Sequence, residues 1–267
     1  MKRVEAVIFD WAGTTVDHGS LAPVRAVTAM FARHGIHVSD SDARRDMGLF
    51  KKDHIRRILA MGYVEAAWKA SHSAPPTEND VEALFAEFAT MQMDILEEYS
   101  GMIGGAPAAA GRLRSRGIKI GSTTGYTRPM LDRLLIHSAA EGYAPDLSLC
   151  PDDLGGGRPY PWMCLRIAIE FRLTSTAAAV KVGDTVSDIQ EGLNAGMWTV
   201  GVSLTGNEVG MSAADVAALT DEERTRRAKT AGNTLRNAGA HYVVESVADL
   251  DPVLASIGER LAAGERP

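Results

Sequence analysis

Val7-Ile8-Phe9-Asp10-Trp11-Ala12-Gly13-Thr14-Thr15 is the stretch that decides the fold. Residues 4–9 are apolar except for Glu5, which predicts a buried strand. The strand runs straight into Asp10 and then into a turn of small and hydroxyl-bearing residues. An aspartate at the carboxyl end of a parallel strand sits where open α/β sheets bind ligands. Backbone N–H groups of such a turn can hold phosphate oxygens, and the carboxylate can hold a cation or attack phosphorus.

Beyond Gly101 the pattern alternates. Strands are predicted over 118–122, 147–150, 178–182, 199–202 and 242–244, with helices over 106–116, 128–137, 162–171 and 189–195. That alternation implies βαβ units and a parallel sheet, which the first strand must join. Between Ser20 and Ser100 the pattern is helical instead. One helix starts at Ala22-Pro23, carries Val24, Val27, Met30 and Phe31 on one face, and ends at Gly35. A short helix over 40–47 is closed by Gly48, and a third spans 51–61. After the break at Pro75-Pro76, Thr77 and Asp80 cap a long helix that should bury Val81, Leu84, Phe85, Phe88, Met91 and Ile95. The expected architecture is α/β: a Rossmann-like parallel-sheet core over 1–19 and 101–267, with an inserted helical cap domain over 20–100. Residues 209–239 are polar, with a helical stretch over 221–236, and read as a late surface insertion.

A chain of 267 residues can bury a large core and a smaller partner. Its formal charge of -6 argues against non-specific nucleic-acid binding. No stretch is long and apolar enough to span a membrane. Met1-Lys2-Arg3 opens a run too short and too acid-interrupted for a signal peptide. Two cysteines, Cys150 and Cys164, suggest a reduced, cytoplasmic protein without a disulfide framework.

Three further pieces fall at strand ends or turns. Ser122-Thr123-Thr124-Gly125-Tyr126 ends one strand in hydroxyls, Gly157-Arg158-Pro159 sets an arginine in a turn, and Gly183-Asp184-Thr185-Val186-Ser187-Asp188 ends another strand with two acids. Alone each is ordinary, since a strand-terminal aspartate is often a helix N-cap. Together and in this order they resemble the motifs of the haloacid dehalogenase superfamily of phosphotransferases. The resemblance implies that Asp10 is the nucleophile and that Thr124 binds a phosphoryl oxygen. Arg158 stands where most members have a lysine that neutralises phosphate, and offers a planar fork instead of a point charge. Mg²⁺ would be held by Asp10, Asp184 and the backbone carbonyl of Ala12, with Asp188 orienting that group.

Ala12 narrows the chemistry. Phosphatases of the superfamily carry an aspartate there, which protonates the leaving oxygen; such help is worth on the order of a hundred- to ten-thousandfold. A chain without it needs a leaving group that requires no acid. Carbon expelled from phosphorus qualifies if its electrons can flow into a lysine imine. Met47-Gly48-Leu49-Phe50-Lys51-Lys52-Asp53-His54 offers that lysine. At helical spacing Lys51, His54, Ile55 and Ile58 share one stripe, whereas Lys52 aligns with Arg56 on a more polar face. A helix N-terminus favours the neutral amine that imine formation needs, and His54, one turn on, could shuttle protons. Taken by itself the segment is better read as a basic surface helix with two solvated lysines.

Asp-Trp-Ala-Gly-Thr-Thr-Val-Asp, Met-Gly-Leu-x-Lys, Gly-Ser-Thr-Thr-Gly-Tyr, Gly-Arg-Pro-Tyr-Pro-Trp-Met and Val-Gly-Asp-Thr-Val-Ser-Asp together resemble the phosphonatase family, over most of the chain. That resemblance implies Mg²⁺-dependent cleavage of the carbon–phosphorus bond of phosphonoacetaldehyde, giving acetaldehyde and phosphate. It makes Lys51 the imine former and places Met47, Gly48, His54 and Tyr126 around the imine. It further implies a homodimer joined through the caps, with a small phosphonate as ligand and neither nucleic acid nor membrane as partner. The rivals are a phosphomonoester phosphatase of the same superfamily, against which Ala12 speaks, and a non-catalytic phosphate-binding relic, against which Asp10 speaks.

Overall fold

The computed structural model describes residues 3–267; Met1 and Lys2, where the expected core and the absence of a signal peptide were read, lie outside the described residues. The chain opens with β1 (Ala6–Phe9) and then makes five helices: α1 (Leu21–Arg33), α2 (Asp40–Arg44), α3 (Lys51–Leu59), α4 (Gly62–His72) and α5 (Glu78–Ile95). There follow α6 (Ala106–Ser115), β2 (Lys119–Thr123), α7 (Arg128–Ala140), β3 (Leu147–Leu149), α8 (Trp162–Glu170), β4 (Ala179–Gly183) and α9 (Val186–Asn194). The chain ends with β5 (Trp198–Val202), α10 (Ala213–Ala217), α11 (Asp221–Asn237), β6 (Tyr242–Val244) and α12 (Leu250–Ala262).

The six strands form one parallel sheet in the order β3-β2-β1-β4-β5-β6. β1 lies inside it with every residue buried, which is why it reads as a continuous apolar run. Phe9 is level with Ser122 on one side and Val182 on the other. Asp10, Thr123-Thr124 and Gly183-Asp184 therefore emerge together at the carboxyl edge of the sheet. The strand order reverses between β1 and β4, the place where sheets of this kind bind ligands.

In the helical insertion α5 packs against both α1 and α3. Its N-terminus carries the Thr77–Asp80 capping box expected from the sequence. The buried stripe of α5 is narrower than expected: Val81, Leu84, Phe88 and Gln92 are buried, whereas Phe85, Met91 and Ile95 are half-buried at its borders. α2 stops at Arg44, three residues short of the expected end, and α3 at Leu59. α4 has no counterpart in the sequence reading. Only Val64 and Trp68 are buried on it, too few to mark a helical face.

Residues 209–239 are not a peripheral insertion. α11 carries the chain from β5 to β6 and packs on both strands. Ala228, Ala231, Gly232 and Leu235 form its buried side. Its polarity belongs to the outward face, where Glu223 pairs with Arg226 and Arg227. Gly201 of β5 lets the helix approach, since a Cβ there would stand 2.9 Å from Leu235 Cβ. No helix among the described residues is long and apolar enough to cross a membrane. Leu235→Ala is expected to cost about 2–5 kcal/mol, the range for a buried leucine. Chemical denaturation checks it; an unchanged midpoint would return this helix to the status of an appendage.

Candidate active site

Seven ionisable side chains meet at the carboxyl edge: Asp10, Lys51, Arg158, Lys181, Asp184, Asp188 and Glu191, none more than 5% exposed. Arg158 is the hub. Its Nη2 donates to Asp10 Oδ1 at 2.6 Å and to the Thr123 carbonyl at 2.6 Å. Its Nε donates to Glu191 Oε2 at 3.0 Å, and its Nη1 lies 2.9 Å from Asp188 Oδ1. The fork expected to meet phosphate is thus already holding three carboxylates. Lys181 supports the same acids from within the sheet, at 3.0 Å from Asp188 Oδ1 and 3.1 Å from Glu191 Oε2, and donates to Thr123 Oγ1 at 2.7 Å.

Asp184 lies opposite this lattice. It accepts from Thr14 Oγ1 at 2.9 Å and from the Asn207 backbone N–H at 2.8 Å, and forms no ion pair among the described residues. Burial, Asp10 and Asp188 together push its carboxyl well above the usual carboxylate range. Asp10 is also raised, by burial more than Arg158 can offset. Asp188 goes the other way: burial opposes its charge, but Arg158 and Lys181 prevail. Single carboxylate oxygens of Asp10, Asp184 and Asp188 lie within 4.8 Å of one another. Three hard oxygen donors, one without a cationic partner, fit a small divalent cation. Asp188 belongs to that cluster directly, although its oxygens are already held by Arg158, Lys181 and Thr185.

A narrow cleft of about 20 Å³, open at its mouth, lies over these groups. Asp10, Ala12, Thr124 and Arg158 line it from the sheet side, and Met47, Gly48 and Lys51 from the insertion, with Tyr126 beside them. Gly48 sits at φ +86°, and its Cα faces the Thr185 hydroxyl so closely that a Cβ would overlap it. That contact brings the start of α3, and Lys51 with it, over Asp10. Lys51 is 3% exposed and its Nζ donates to Met47 Sδ at 3.1 Å. Burial lowers its pKa to about 7, with Asp10 and Asp184 pulling upward and Arg158 downward.

His54 does not line the cleft. It is buried one turn behind Lys51, with no hydrogen-bond partner for either ring nitrogen among the described residues, and burial holds its pKa well below the usual value. The Thr124 hydroxyl accepts the Tyr126 N–H at 3.1 Å and so fixes the turn. Trp11 is packing: it is fully buried, edge-on to Tyr143, and donates to Ser122 Oγ at 2.9 Å. Lys181 and Glu191 are missing from the sequence reading. The available signals are a lysine inside the apolar run Ala179-Val-Lys-Val and an acid one turn after Asp188.

The haloacid dehalogenase-like hydrolase family pattern matches residues 4–196. The chain is 44% identical over 264 residues to phosphonoacetaldehyde hydrolase of Nitratidesulfovibrio vulgaris, covering 99% of this chain and 94% of that one. It is 43% identical over 267 residues to phosphonoacetaldehyde hydrolase of Paraburkholderia xenovorans, covering 100% of both. The crystal structure of a phosphonoacetaldehyde hydrolase-like protein from Oleispira antarctica superposes with a TM-score of 0.97 at 43% identity, covering 99% of this chain and 96% of that one. The chain is an enzyme of the haloacid dehalogenase-like hydrolases, and within them it belongs to the phosphonoacetaldehyde hydrolase family.

Removing one partner of a buried ion pair strands the other, at a cost of about 3–5 kcal/mol. Lys181→Met is expected to lose that much stability in chemical denaturation. Adding Glu191→Gln should recover part of it, because the acid left facing Arg158 alone goes too, although Asp188 still lacks its lost partner. Additive losses in the double variant would mean that the two charges do not act as a pair.

Proposed function

We propose that this enzyme cleaves the carbon–phosphorus bond of phosphonoacetaldehyde, giving acetaldehyde and phosphate. The observation that carries the reading is Lys51, buried and balanced near neutrality at about pH 7, facing the Asp10 cleft across which Ala12 offers no acid. The names of the relatives support it.

The Lys51 amine adds to the aldehyde carbon and water leaves, forming a protonated imine. An Asp10 oxygen attacks phosphorus. The carbon–phosphorus bond breaks, and its electron pair moves into the imine to give an enamine. Protonation at carbon and hydrolysis release acetaldehyde and restore Lys51. Water then attacks the aspartyl phosphate and releases phosphate. Arg158 fixes Asp10 Oδ1 so that the other oxygen is left to attack, and Arg158 and Thr124 face the phosphonate oxygens. Mg²⁺ held by Asp10, Asp184 and the Ala12 carbonyl would neutralise phosphoryl charge when bound. Met47, Gly48 and Tyr126 enclose the imine. His54 supports Lys51 from behind and needs a rearrangement to shuttle protons.

Phosphonoacetaldehyde and Mg²⁺ added to the protein should yield acetaldehyde and phosphate in equal amounts. Borohydride added with substrate should leave a reduced two-carbon adduct on Lys51, read by mass spectrometry; an adduct on Lys52, or none, overturns the imine. A protonated amine has no lone pair to give. The rate at limiting substrate should therefore fall as pH drops through about 7, with Asp10, Asp184, Arg158 and His54 as the charged and titratable neighbours that set the midpoint.

Ala12→Asp is expected to lower phosphonoacetaldehyde turnover by a large factor, about a hundredfold. The new carboxylate adds like charge beside Asp10 and pairs with the Lys51 ammonium, raising its pKa and suppressing imine formation. Full activity in this variant would make the residue incidental.

A further inference from the structure

Arg44 belongs to none of the motifs above. It ends α2 in the helical insertion, yet its guanidinium lies on the core. Nη1 donates to the Gly19 carbonyl at 2.8 Å and to Asn207 Oδ1 at 3.1 Å, and Nη2 donates to the Gly210 carbonyl at 3.3 Å. Asn207 returns the contact, donating from Nδ2 to the Arg44 carbonyl at 3.2 Å. The same residue donates its backbone N–H to Asp184 Oδ2 at 2.8 Å, and it is 2% exposed, so water cannot readily replace these bonds.

The surrounding loop is tied down in the same place. The Gly19 N–H donates to the Thr205 carbonyl at 2.8 Å, and the Thr205 hydroxyl donates to the Gly13 carbonyl at 3.0 Å. One guanidinium thus joins the point where the chain leaves the sheet, the insertion itself, and the loop that orients Asp184. Groups that hold a metal-binding carboxylate from behind set its direction and its affinity.

The geometry points to Arg44 as a positioning residue for Asp184, acting through Asn207: the insertion, seated on the core by this pair, holds the carboxylate in place for Mg²⁺. The inference rests on the Mg²⁺ reading of the site. Linkage makes it reciprocal, so Mg²⁺ should tighten the seating by the factor by which the seating tightens Mg²⁺.

The test is a calorimetric titration of Mg²⁺ into the full chain without substrate, for the parent, Arg44→Ala, Arg44→Lys, Asn207→Ala and the Arg44→Ala/Asn207→Ala double variant. Arg44→Ala and Asn207→Ala should each weaken Mg²⁺ about ten- to hundredfold. The double variant should be no worse than the weaker single one, because both act along one path. Arg44→Lys should recover part of the loss, since an ammonium reaches one of these oxygens but cannot span them. In the parent, Mg²⁺ should slow hydrogen exchange at the Gly19 amide; in Arg44→Ala it should not. Folded variants that bind Mg²⁺ like the parent, or losses that add, overturn the proposal. A parent that binds no Mg²⁺ overturns the metal reading instead. If Arg44→Ala does not fold, Asn207→Ala and Arg44→Lys decide the matter by the same criteria.

Discussion

Four carboxylates and two cations share one buried cluster at the edge of the cleft, and the arrangement of the whole carboxyl edge follows from keeping them there. Each ion taken from water costs several kcal/mol unless its partners are close and its lone pairs are filled. Asp10, Asp188 and Glu191 each have a close cationic partner in Arg158 or Lys181. Thr123 fills the gap between the cations, accepting from Lys181 and donating to Glu191. Asp184 has hydroxyl and amide donors but no ion pair among the described residues. The protein therefore pairs one side of the cluster internally and leaves on the other a carboxyl, held toward its neutral form, that a bound cation would stabilise as carboxylate. That asymmetry favours a divalent cation on the Asp184 side and keeps the Arg158 side rigid.

The helical insertion adds a residue of opposite requirement. Lys51 approaches the same acids, and attraction to them alone would hold it charged. Its burial in the insertion outweighs that attraction and brings its pKa to about 7. An amine in that range exists in both forms under ordinary conditions, which suits the proposed addition to a carbonyl followed by proton transfer. Lys52, one residue on, points to the outside and pairs with Glu82 at 2.6 Å. Adjacent lysines with opposite fates follow from the angle of about 100° between successive helix residues.

The sheet was legible because parallel strands buried on both faces read as apolar runs, and because ligand-binding acids follow such strands at one edge. Asp10, Thr124 and Asp184 stand at those positions in the sequence itself. Lys51 was legible from its stripe with Ile55 and Ile58. The cluster's inner layer was not. Lys181 on β4 and Glu191 on α9 are ten residues apart, and their pairing across strand and helix has no fixed sequence signature. The role of residues 209–239 was hidden for a different reason. α11 shows its small buried face, Ala228, Ala231 and Gly232, among many charges, and composition averages the two faces together.

In the proposed chemistry the two halves of the molecule divide the work. The sheet edge contributes the attacking carboxylate and the charge balance around phosphorus, and the insertion contributes the electron sink for carbon. Neither half is complete alone, so the rate depends on how accurately one is placed over the other; misplacement of reacting groups by about 1 Å can cost about a hundredfold. The contacts that set this placement are not at the reacting groups. Gly48 meets Thr185 at the cleft, and Arg44 meets Asn207 outside it. Thr185 caps α9 through Asp188, and Asn207 holds Asp184. The insertion thus rests on the residues that shape the acid cluster, and Ala12, small and lining the cleft, lies where the proposed chemistry would bring the two together.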